Sequence, residues 1–235
     1  MNEAAIRRHP HLAEPRPPGT VRVDMHSHTM WSGDCTTTPD ELIAAIEASG
    51  IDVLCITDHN TVAGAKRLAD ELPCRVVVGE ELRIGQGELI GLFLAEAIPP
   101  GLSVCDTARA IRDQGGIVYV PHPFDPMRNA LMPAQIDELA DAGLIGAFEV
   151  RNAKTSLESL NRRAADYARA HGLAAGAGSD AHVPDALGAA YVEVADFVDA
   201  AGFLAGLATG RIVGHHSDPA RPWTPRIVPS VPDER

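Results

Sequence analysis

The sequence predicts an α/β fold in which helices cover a mainly parallel sheet that either stays open or closes into a barrel. Short apolar runs typical of buried strands alternate along the chain with longer helical segments. Hydrophobic residues make up 45% of the chain and aromatic residues only 4%, so the core must be largely aliphatic, as in layered helix–sheet proteins. A chain of 235 residues can form one large domain of this class or two small ones. We find neither an internal repeat nor a linker between domains.

The elements follow one another from local start and stop signals. The first strand is the alternating run 21–25. Thr38-Pro39-Asp40-Glu41 combines a capping box with a proline at the first helical position, and it opens a helix that Gly50 ends. The other predicted strands are 52–56, 75–78, 89–94, 117–120, 147–150, 173–177 and 190–194. The other predicted helices follow Asn60 to about residue 72 and lie near 103–114, 133–142, 156–171 and 196–208.

The two ends of the chain are predicted to lie outside the domain, which then spans residues 20–216. Residues 1–19 are polar and rich in proline, so they are expected to form a flexible arm in which His9 and His11 are solvated. Residues 217–235 are also rich in proline and are expected to be an extended or disordered tail.

Net charge and cysteine content indicate which binding partners and which cellular location to expect. The formal net charge of −12 argues against broad binding to extended nucleic acid or to an anionic membrane surface, because both require basic patches. The longest apolar runs are too short to span a bilayer. Four cysteines without a C-x-x-C pair, and no apolar secretory segment before them, favour a cytoplasmic location. Any phosphate-bearing substrate would therefore need a local cationic site, which divalent metal ions held by histidines and acidic residues could supply.

Histidines and carboxylates occur at or near the carboxyl ends of successive predicted strands. His26 and His28 in HSHTMWSGD point to one face, because side chains at i and i+2 of a strand do so. The carboxyl ends of parallel strands share one rim, where α/β folds place their chemistry. The further residues of this kind are Asp34, His59, Glu81, His122, Glu149, Asp180 and His182. Each alone could equally be a turn, cap or loop residue, but the combined set of imidazoles and carboxylates, without thiolates, predicts two or three divalent metal ions.

The motifs in this region resemble those of the polymerase-and-histidinol-phosphatase (PHP) superfamily of metal-dependent phosphoesterases. The matching segments, spread over roughly residues 20–215, are DMHSHTMWSGD, ITDHN, VVVGEEL, PHPFD, FEVRN and GSDAH. The resemblance implies a distorted, TIM-like, seven-stranded (β/α) barrel with the active site at the carboxyl ends of the strands. It places His26, His28, Glu81 and Asp180 on one metal ion. It also implies that Glu81 bridges to a second ion bound by His122, while Asp34, His59 and His182 hold a third.

Two glutamates leave alternatives open. The family motif Gly-x-Glu selects Glu81 as the bridging ligand, with Glu80 as the alternative. Many members carry a metal-binding histidine shortly after that glutamate, where this chain has Glu88. We expect Glu88 to replace the histidine and to favour manganese or iron over zinc. If Glu88 points away, the site is expected to hold fewer metal ions.

The resemblance implies hydrolysis of a small phosphomonoester or nucleotide phosphate by a hydroxide that bridges two metal ions (Mn, Fe or Zn). Asp34, His59 and His182 are the candidates for protonating the leaving oxygen, a role that the sequence does not separate from metal ligation. The predicted phosphate-binding cations are Arg128, Arg151 and Lys154, each of which could equally be a solvated loop charge.

Two other functions are compatible with the same motifs. Some PHP modules keep their ligands chiefly to stabilise a larger enzyme, so a non-catalytic, metal-stabilised module is one alternative. Hydrolysis of a C–N bond is another, because amidohydrolases also mount His-x-His on a barrel strand. Those sites commonly add a carbamylated lysine at a strand end, and neither Lys66 nor Lys154 is predicted to occupy one. The amidohydrolase alternative therefore ranks lower.

Overall fold

The computed structural model describes residues 9–10, 15–85 and 87–220 of the chain. Within them the strands are β1 (Thr20–Ser27), β2 (Val53–Ile56), β3 (Arg75–Arg83), β4 (Glu88–Leu92), β5 (Ile117–Val120), β6 (Ala147–Asn152), β7 (Ala174–Gly178), β8 (Ala190–Ala195) and β9 (Arg211–Gly214). The α-helices are α1 (Pro39–Ser49), α2 (Ala63–Leu68), α3 (Val104–Asp113), α4 (Pro133–Asp141), α5 (Glu158–Ala170) and α6 (Ala200–Leu207). Short 3-10 helices occupy Met30–Ser32 and Pro184–Ala186.

The strands form one sheet that curls into a nearly closed barrel. Their order is β7-β6-β5-β4-β3-β2-β1-β8-β9. Beyond β7 the chain meets the end of β1, where Asp180 N–H donates to His26 O (2.7 Å) and His28 N–H donates to Ala181 O (3.0 Å). Gly178 permits this approach, because a Cβ atom there would lie 2.3 Å from the Cβ atom of His26. The predicted α/β barrel is confirmed, with nine strands in the described residues where the resemblance implied seven.

The sheet is mixed, so the prediction of a mainly parallel sheet is wrong. The parallel pairs are β1–β2, β2–β3, β5–β6 and β6–β7. The antiparallel pairs are β3–β4, β4–β5, β1–β8 and β8–β9. β3 ends at Arg83 and β4 begins at Glu88, and so short a connection permits a hairpin but not the crossover that parallel strands need. β9 was not predicted from the sequence, because only two of its four residues, Ile212 and Val213, carry apolar side chains.

The helix boundaries agree with the local signals at α1. Thr38 accepts the N–H of Glu41, and the Glu41 carboxylate accepts the N–H of Thr38 in return. Gly50 ends the helix in the left-handed conformation, at φ 65°. α2 is shorter than predicted and ends at Leu68.

Two apolar layers hold the barrel and its helices together. In β2, Val53 and Cys55 belong to a cluster inside the barrel, whereas Leu54 and Ile56 pack against residues of α1 and α2. This alternation follows from the two-residue period of a strand. No helix among the described residues is long and apolar enough to cross a membrane, and all four cysteines are free thiols.

The chain ends differ in part from the prediction. His9 is buried, with its Nε2 atom 3.0 Å from Leu187 O and its Nδ1 atom 3.2 Å from His215 Nε2. The expectation that His9 is solvated is therefore wrong. His11, most of the predicted arm 1–19 and residues 221–235 of the predicted tail 217–235 lie outside the described residues. The proposed boundaries of the domain stay a prediction.

Candidate metal centre

All the predicted metal-ligating side chains come together at one rim of the barrel, in overlapping groups of potential donors. β1 carries His26, and His28 follows its end; His59, His122, Asp180 and His182 lie on the segments after β2, β5 and β7. Glu81 lies inside β3 and not after it, because β3 extends to Arg83. Glu88 reaches the same rim because β4 is antiparallel, so that its first residue lies where the parallel strands end.

The first donor group consists of His26 Nε2, His28 Nε2, Glu81 Oε2 and Asp180 Oδ1. His28 Nε2 lies 3.1 Å from His26 Nε2, 3.2 Å from Glu81 Oε2 and 3.6 Å from Asp180 Oδ1. Ligands about 2.0–2.1 Å from a tetrahedral ion are about 3.3 Å apart. Both carboxylate oxygens are buried without a hydrogen-bond partner among the described residues, which is unfavourable unless a cation binds them. The donor set therefore fits a metal ion.

The second donor group shares Glu81 with the first. His122 Nε2 lies 3.1 Å from Glu81 Oε1 and 3.5 Å from Glu88 Oε2. The two oxygens of Glu81 thus face different groups, which is the arrangement a bridging carboxylate requires. Glu88 points toward this group, as expected if it replaces a histidine.

The third donor group is the most accessible one. Asp34 Oδ2 lies 3.4 Å from His59 Nε2 and 3.4 Å from His182 Nε2. The Asp34 side chain is 40% exposed, whereas those of His59 and His182 are 8% and 4% exposed. An ion or substrate entering from solvent would meet this group first.

The buried charges stabilise one another within the cluster. Burial alone would raise the pKa of Glu81, but the facing His26 and the hydrogen bond from His122 hold that pKa well below its usual value. Burial also opposes ionisation of Asp180, whose pKa Arg128 and His26 nevertheless hold well below its usual range. These carboxylates are therefore ionised, which is the form that binds metal ions.

His182, one of the two histidines of the third group, is neutral near physiological pH. Burial, reinforced by nearby His28, lowers the pKa of His182 to about 4. A neutral imidazole binds metal ions but has no proton to donate at neutral pH. This state favours metal ligation over proton donation for His182.

The backbone around the cluster adopts unusual conformations. Asn60, His122, Phe124 and Asp180 have φ angles of 53°, 29°, 67° and 51°, a region that residues other than glycine seldom adopt. Such conformations concentrate at functional sites, where the surrounding structure fixes them at some cost in stability.

Strand alternation separates the two adjacent glutamates of β3. Glu81 faces the donor groups, whereas Glu80 Oε2 accepts the N–H of Ile98 (2.9 Å) and is buried on the other face. Glu80, the alternative bridging residue, therefore lies outside the groups. Burial raises the pKa of Glu80 from 4.5 to about 7.

Replacing Glu80 by glutamine should change how stability depends on pH. Folded Glu80 keeps a proton that the unfolded chain releases between about pH 4.5 and 7, so the wild type loses stability as pH rises through that window. The free energy of unfolding of Glu80→Gln, relative to that of the wild type, should therefore rise by on the order of 3 kcal/mol or less between pH 4 and pH 8. Urea unfolding of both proteins at the two pH values measures this gain. An unchanged difference between the proteins would contradict the raised pKa.

A cavity of about 460 Å³ opens beside the second and third donor groups. Two predicted cations line it: Arg128, which donates to Asp180 Oδ2, and Lys154, whose Nζ lies 3.7 Å from Asp180 Oδ1 and 3.1 Å from His182 Nδ1. Lys154 thus follows β6 closely and reaches the site, contrary to the expectation that no lysine would occupy a strand end. The cavity is also lined by Asp34, His59, Glu88, Asp125, Met127, Asn129, Ser156, His182 and Asp218.

The structure does not place Arg151 in this cavity, and its role in phosphate binding stays a prediction. A bulge in β6 between Glu149 and Arg151 changes the alternation, and Arg151 pairs with Glu158 (2.8 Å) beside another groove. Arg83 lines the cavity instead, with Nε 3.4 Å from Glu88 Oε1. Its position two residues after Glu81 puts it on the same face of β3, a sequence signal from which Arg83 could have been predicted.

Two further polar residues support the donor groups. Ser32 Oγ lies 2.9 Å from His28 Nδ1 and accepts the N–H of His59 (3.1 Å). Glu149 lies beneath His26, with Oε1 3.2 Å from His26 Nδ1. Glu149 was predicted to lie at the rim without a specific role, and Ser32 was not predicted.

Family models match both halves of the chain. A model described as PHP domain matches residues 24–92, and one described as PHP-associated matches residues 158–212. An uncharacterized protein of Methanocaldococcus jannaschii is 39% identical over 146 residues, which cover 57% of this chain and 82% of that protein.

Solved structures from two bacteria share the fold. A two-domain protein of Bacteroides vulgatus, described as containing a predicted PHP-like metal-dependent phosphoesterase, has a TM-score of 0.68 at 18% identity over 86% of this chain and 67% of that chain. An amidohydrolase of Chromobacterium violaceum, with bound sulfate and no metal, has a TM-score of 0.56 at 19% identity over 69% of this chain and 88% of that chain. At these identities the likeness concerns the fold alone.

Proposed function

The chain belongs to the PHP family, and from this we propose that it is a metal-dependent phosphoesterase acting on a small phosphomonoester or nucleotide phosphate. The observation that carries the proposal is the pairing of three donor groups with one cation-lined cavity. His59 and Glu88 face that cavity together with Arg83, Arg128 and Lys154. Metal donors and fixed cations in one place suit a substrate with a concentrated negative charge.

The residues that would hold two or three divalent ions (Mn, Fe or Zn) are those of the three donor groups. Bound there, the ions would supply an activated water and the positive charge that phosphoester hydrolysis requires. The protein holds the donor side chains on separate strands of a rigid barrel, so that metal binding would require little rearrangement.

The cations are suited to bind and orient the phosphate. Arg128 is held by Asp180, and Lys154 is enclosed beside His182, with side chains only 18% and 9% exposed. Arg83 is 54% exposed and lies on the Glu88 side of the cluster, so a phosphate in the cavity would have cations on two sides. Asp34 and His59 remain the candidates for protonating the leaving oxygen.

A screen of small phosphate esters with added manganese tests the proposal. We expect turnover of at least one ester, and we expect chelation to abolish that turnover and added metal to restore it. Bound metal ions without turnover of any ester, in manganese, iron or zinc, would favour the non-catalytic module instead.

A second candidate function is hydrolysis of a C–N bond. It is favoured by the position of Lys154 beside His182 and by the structural likeness to a protein described as an amidohydrolase. Including amides and lactams in the same screen separates the candidates, since turnover of these compounds alone would overturn the phosphoesterase assignment.

Replacing Glu88 by histidine should shift the metal preference of the second donor group. A carboxylate is a harder ligand than an imidazole, so the wild type should retain manganese or iron relative to zinc better than the variant does. We expect Glu88→His to lower the ratio of Mn²⁺ to Zn²⁺ affinity by about 10-fold or more. Competition titrations of both proteins with the two ions measure the ratio. An unchanged ratio would show that Glu88 does not contact the ion.

A further inference from the structure

We propose that Glu149 is a positioning residue that orients metal ligands from two different strands. Its carboxylate is fully buried and belongs to none of the donor groups. Oε1 lies 3.2 Å from His26 Nδ1, and Oε2 accepts the backbone N–H of His122. One carboxylate on β6 thus touches a ligand of the first donor group, from β1, and a ligand of the second, after β5. The inference rests on the proposed metal centre.

The contact with His26 decides which ring nitrogen faces the metal. Glu149 is an acceptor, so His26 Nδ1 must carry the proton. His26 Nε2 then has a free electron pair, and it is this atom that lies 3.4 Å from Glu81 Oε2 and 3.1 Å from His28 Nε2. A carboxylate behind a metal-binding histidine also makes the ring a stronger donor.

The contact with His122 acts through the backbone. His122 has a φ angle of 29°, which a side chain disfavours. The Glu149 Oε2 atom bonded to its N–H holds this peptide in place, and the ring then reaches Glu81 Oε1 at 3.1 Å. Without that acceptor, the backbone would be free to relax and to move the ring away from the second group.

Glu149 is itself fixed by two more donors. Tyr119 O–H donates to Oε1 (3.2 Å) and Asn152 Nδ2 donates to Oε2 (3.0 Å). Four donors converge on the two oxygens, so only a carboxylate accepts them all. A glutamine has one acceptor oxygen, and its amide would oppose two of the four donors.

Glu149→Gln tests the inference, with Glu80→Gln as the matched control. Glu80 is also a buried glutamate on a barrel strand, but it contacts Ile98 and none of the donor residues. We expect Glu149→Gln to weaken Mn²⁺ binding by about 10- to 100-fold, and Glu80→Gln to leave it unchanged. Equal Mn²⁺ affinity in Glu149→Gln and the wild type would overturn the inference.

Imidazole ¹H–¹⁵N correlation spectra show which ring nitrogen of His26 carries the proton. A purely structural role of Glu149 would not change that protonation. In the metal-free wild type, at a pH high enough for the His26 ring to be neutral, its remaining proton should lie on Nδ1, and in Glu149→Gln this tautomer should lose its dominance. Tyr119→Phe removes one donor and keeps the carboxylate, so it should retain both the tautomer and most of the Mn²⁺ affinity. An Nδ1-protonated His26 in Glu149→Gln would contradict the proposed role even if that variant were less stable. These measurements need no turnover. The role of Glu149 can therefore be refuted while the phosphoesterase proposal stands, and the phosphoesterase proposal can be refuted while the role of Glu149 stands.

Discussion

Replacing Asp180 by alanine should remove metal ions and activity together. Asp180 Oδ1 belongs to the first donor group, and Asp180 Oδ2 holds Arg128 at the edge of the cavity. The substitution therefore removes a metal ligand and releases a cation at the same time. We expect turnover to fall by more than about 10³-fold, since one well-placed donor is already worth about 10²- to 10³-fold. Elemental analysis of the dialysed protein and the phosphate-ester assay measure the two losses.

Two controls separate ligand loss from damage to the backbone. Asp180 has a φ angle of 51°, which asparagine tolerates better than alanine, so Asp180→Asn should fold normally and still bind metal less tightly. Asp218→Ala removes a carboxylate that lines the cavity but belongs to none of the donor groups, and its metal content should not change. Wild-type metal content and turnover in Asp180→Ala would refute the proposed centre.

Replacing Glu81 by glutamine should empty two donor groups through a single substitution. Glu81 Oε2 lies 3.2 Å from His28 Nε2 and Glu81 Oε1 lies 3.1 Å from His122 Nε2. A neutral amide removes the negative charge and makes one of these two atoms a hydrogen-bond donor, which a cation does not accept as a ligand. We expect the number of tightly bound metal ions per chain to fall by two and turnover to fall by more than about 10³-fold. Titration with Mn²⁺ gives the number of sites.

The neighbouring glutamate on β3 provides the comparison for this experiment. Glu80→Gln makes the same chemical change on the opposite face of the strand, so it should preserve both the number of metal sites and the turnover. A decrease in metal sites of the same size in both variants would mean that instability of β3, and not loss of the bridging ligand, caused the effect.

The sequence predicted the residues of the candidate metal centre better than the arrangement of the strands that carry them. His26 and His28 share a face because strand geometry requires it, and the structure brings them to within 3.1 Å of each other through Nε2. The boundaries of α1 were also predicted from local sequence, since a capping box and a terminal glycine act within a few residues. By contrast, the direction of β4 was not foreseen, because strand direction depends on pairing with β3 and β5.

The sequence by itself thus determined which donor types lie at or near strand ends, because hydrogen bonding and side-chain periodicity within one element are local. Only the tertiary structure decided that Glu81 and not Glu80 joins two donor groups, and that Arg83 and not Arg151 lines the cavity. These outcomes depend on the register, bulges and direction of strands paired across the barrel. Contacts between segments that are distant in sequence determine the register, the bulges and the strand direction, so a short stretch of the chain does not contain the information that fixes them.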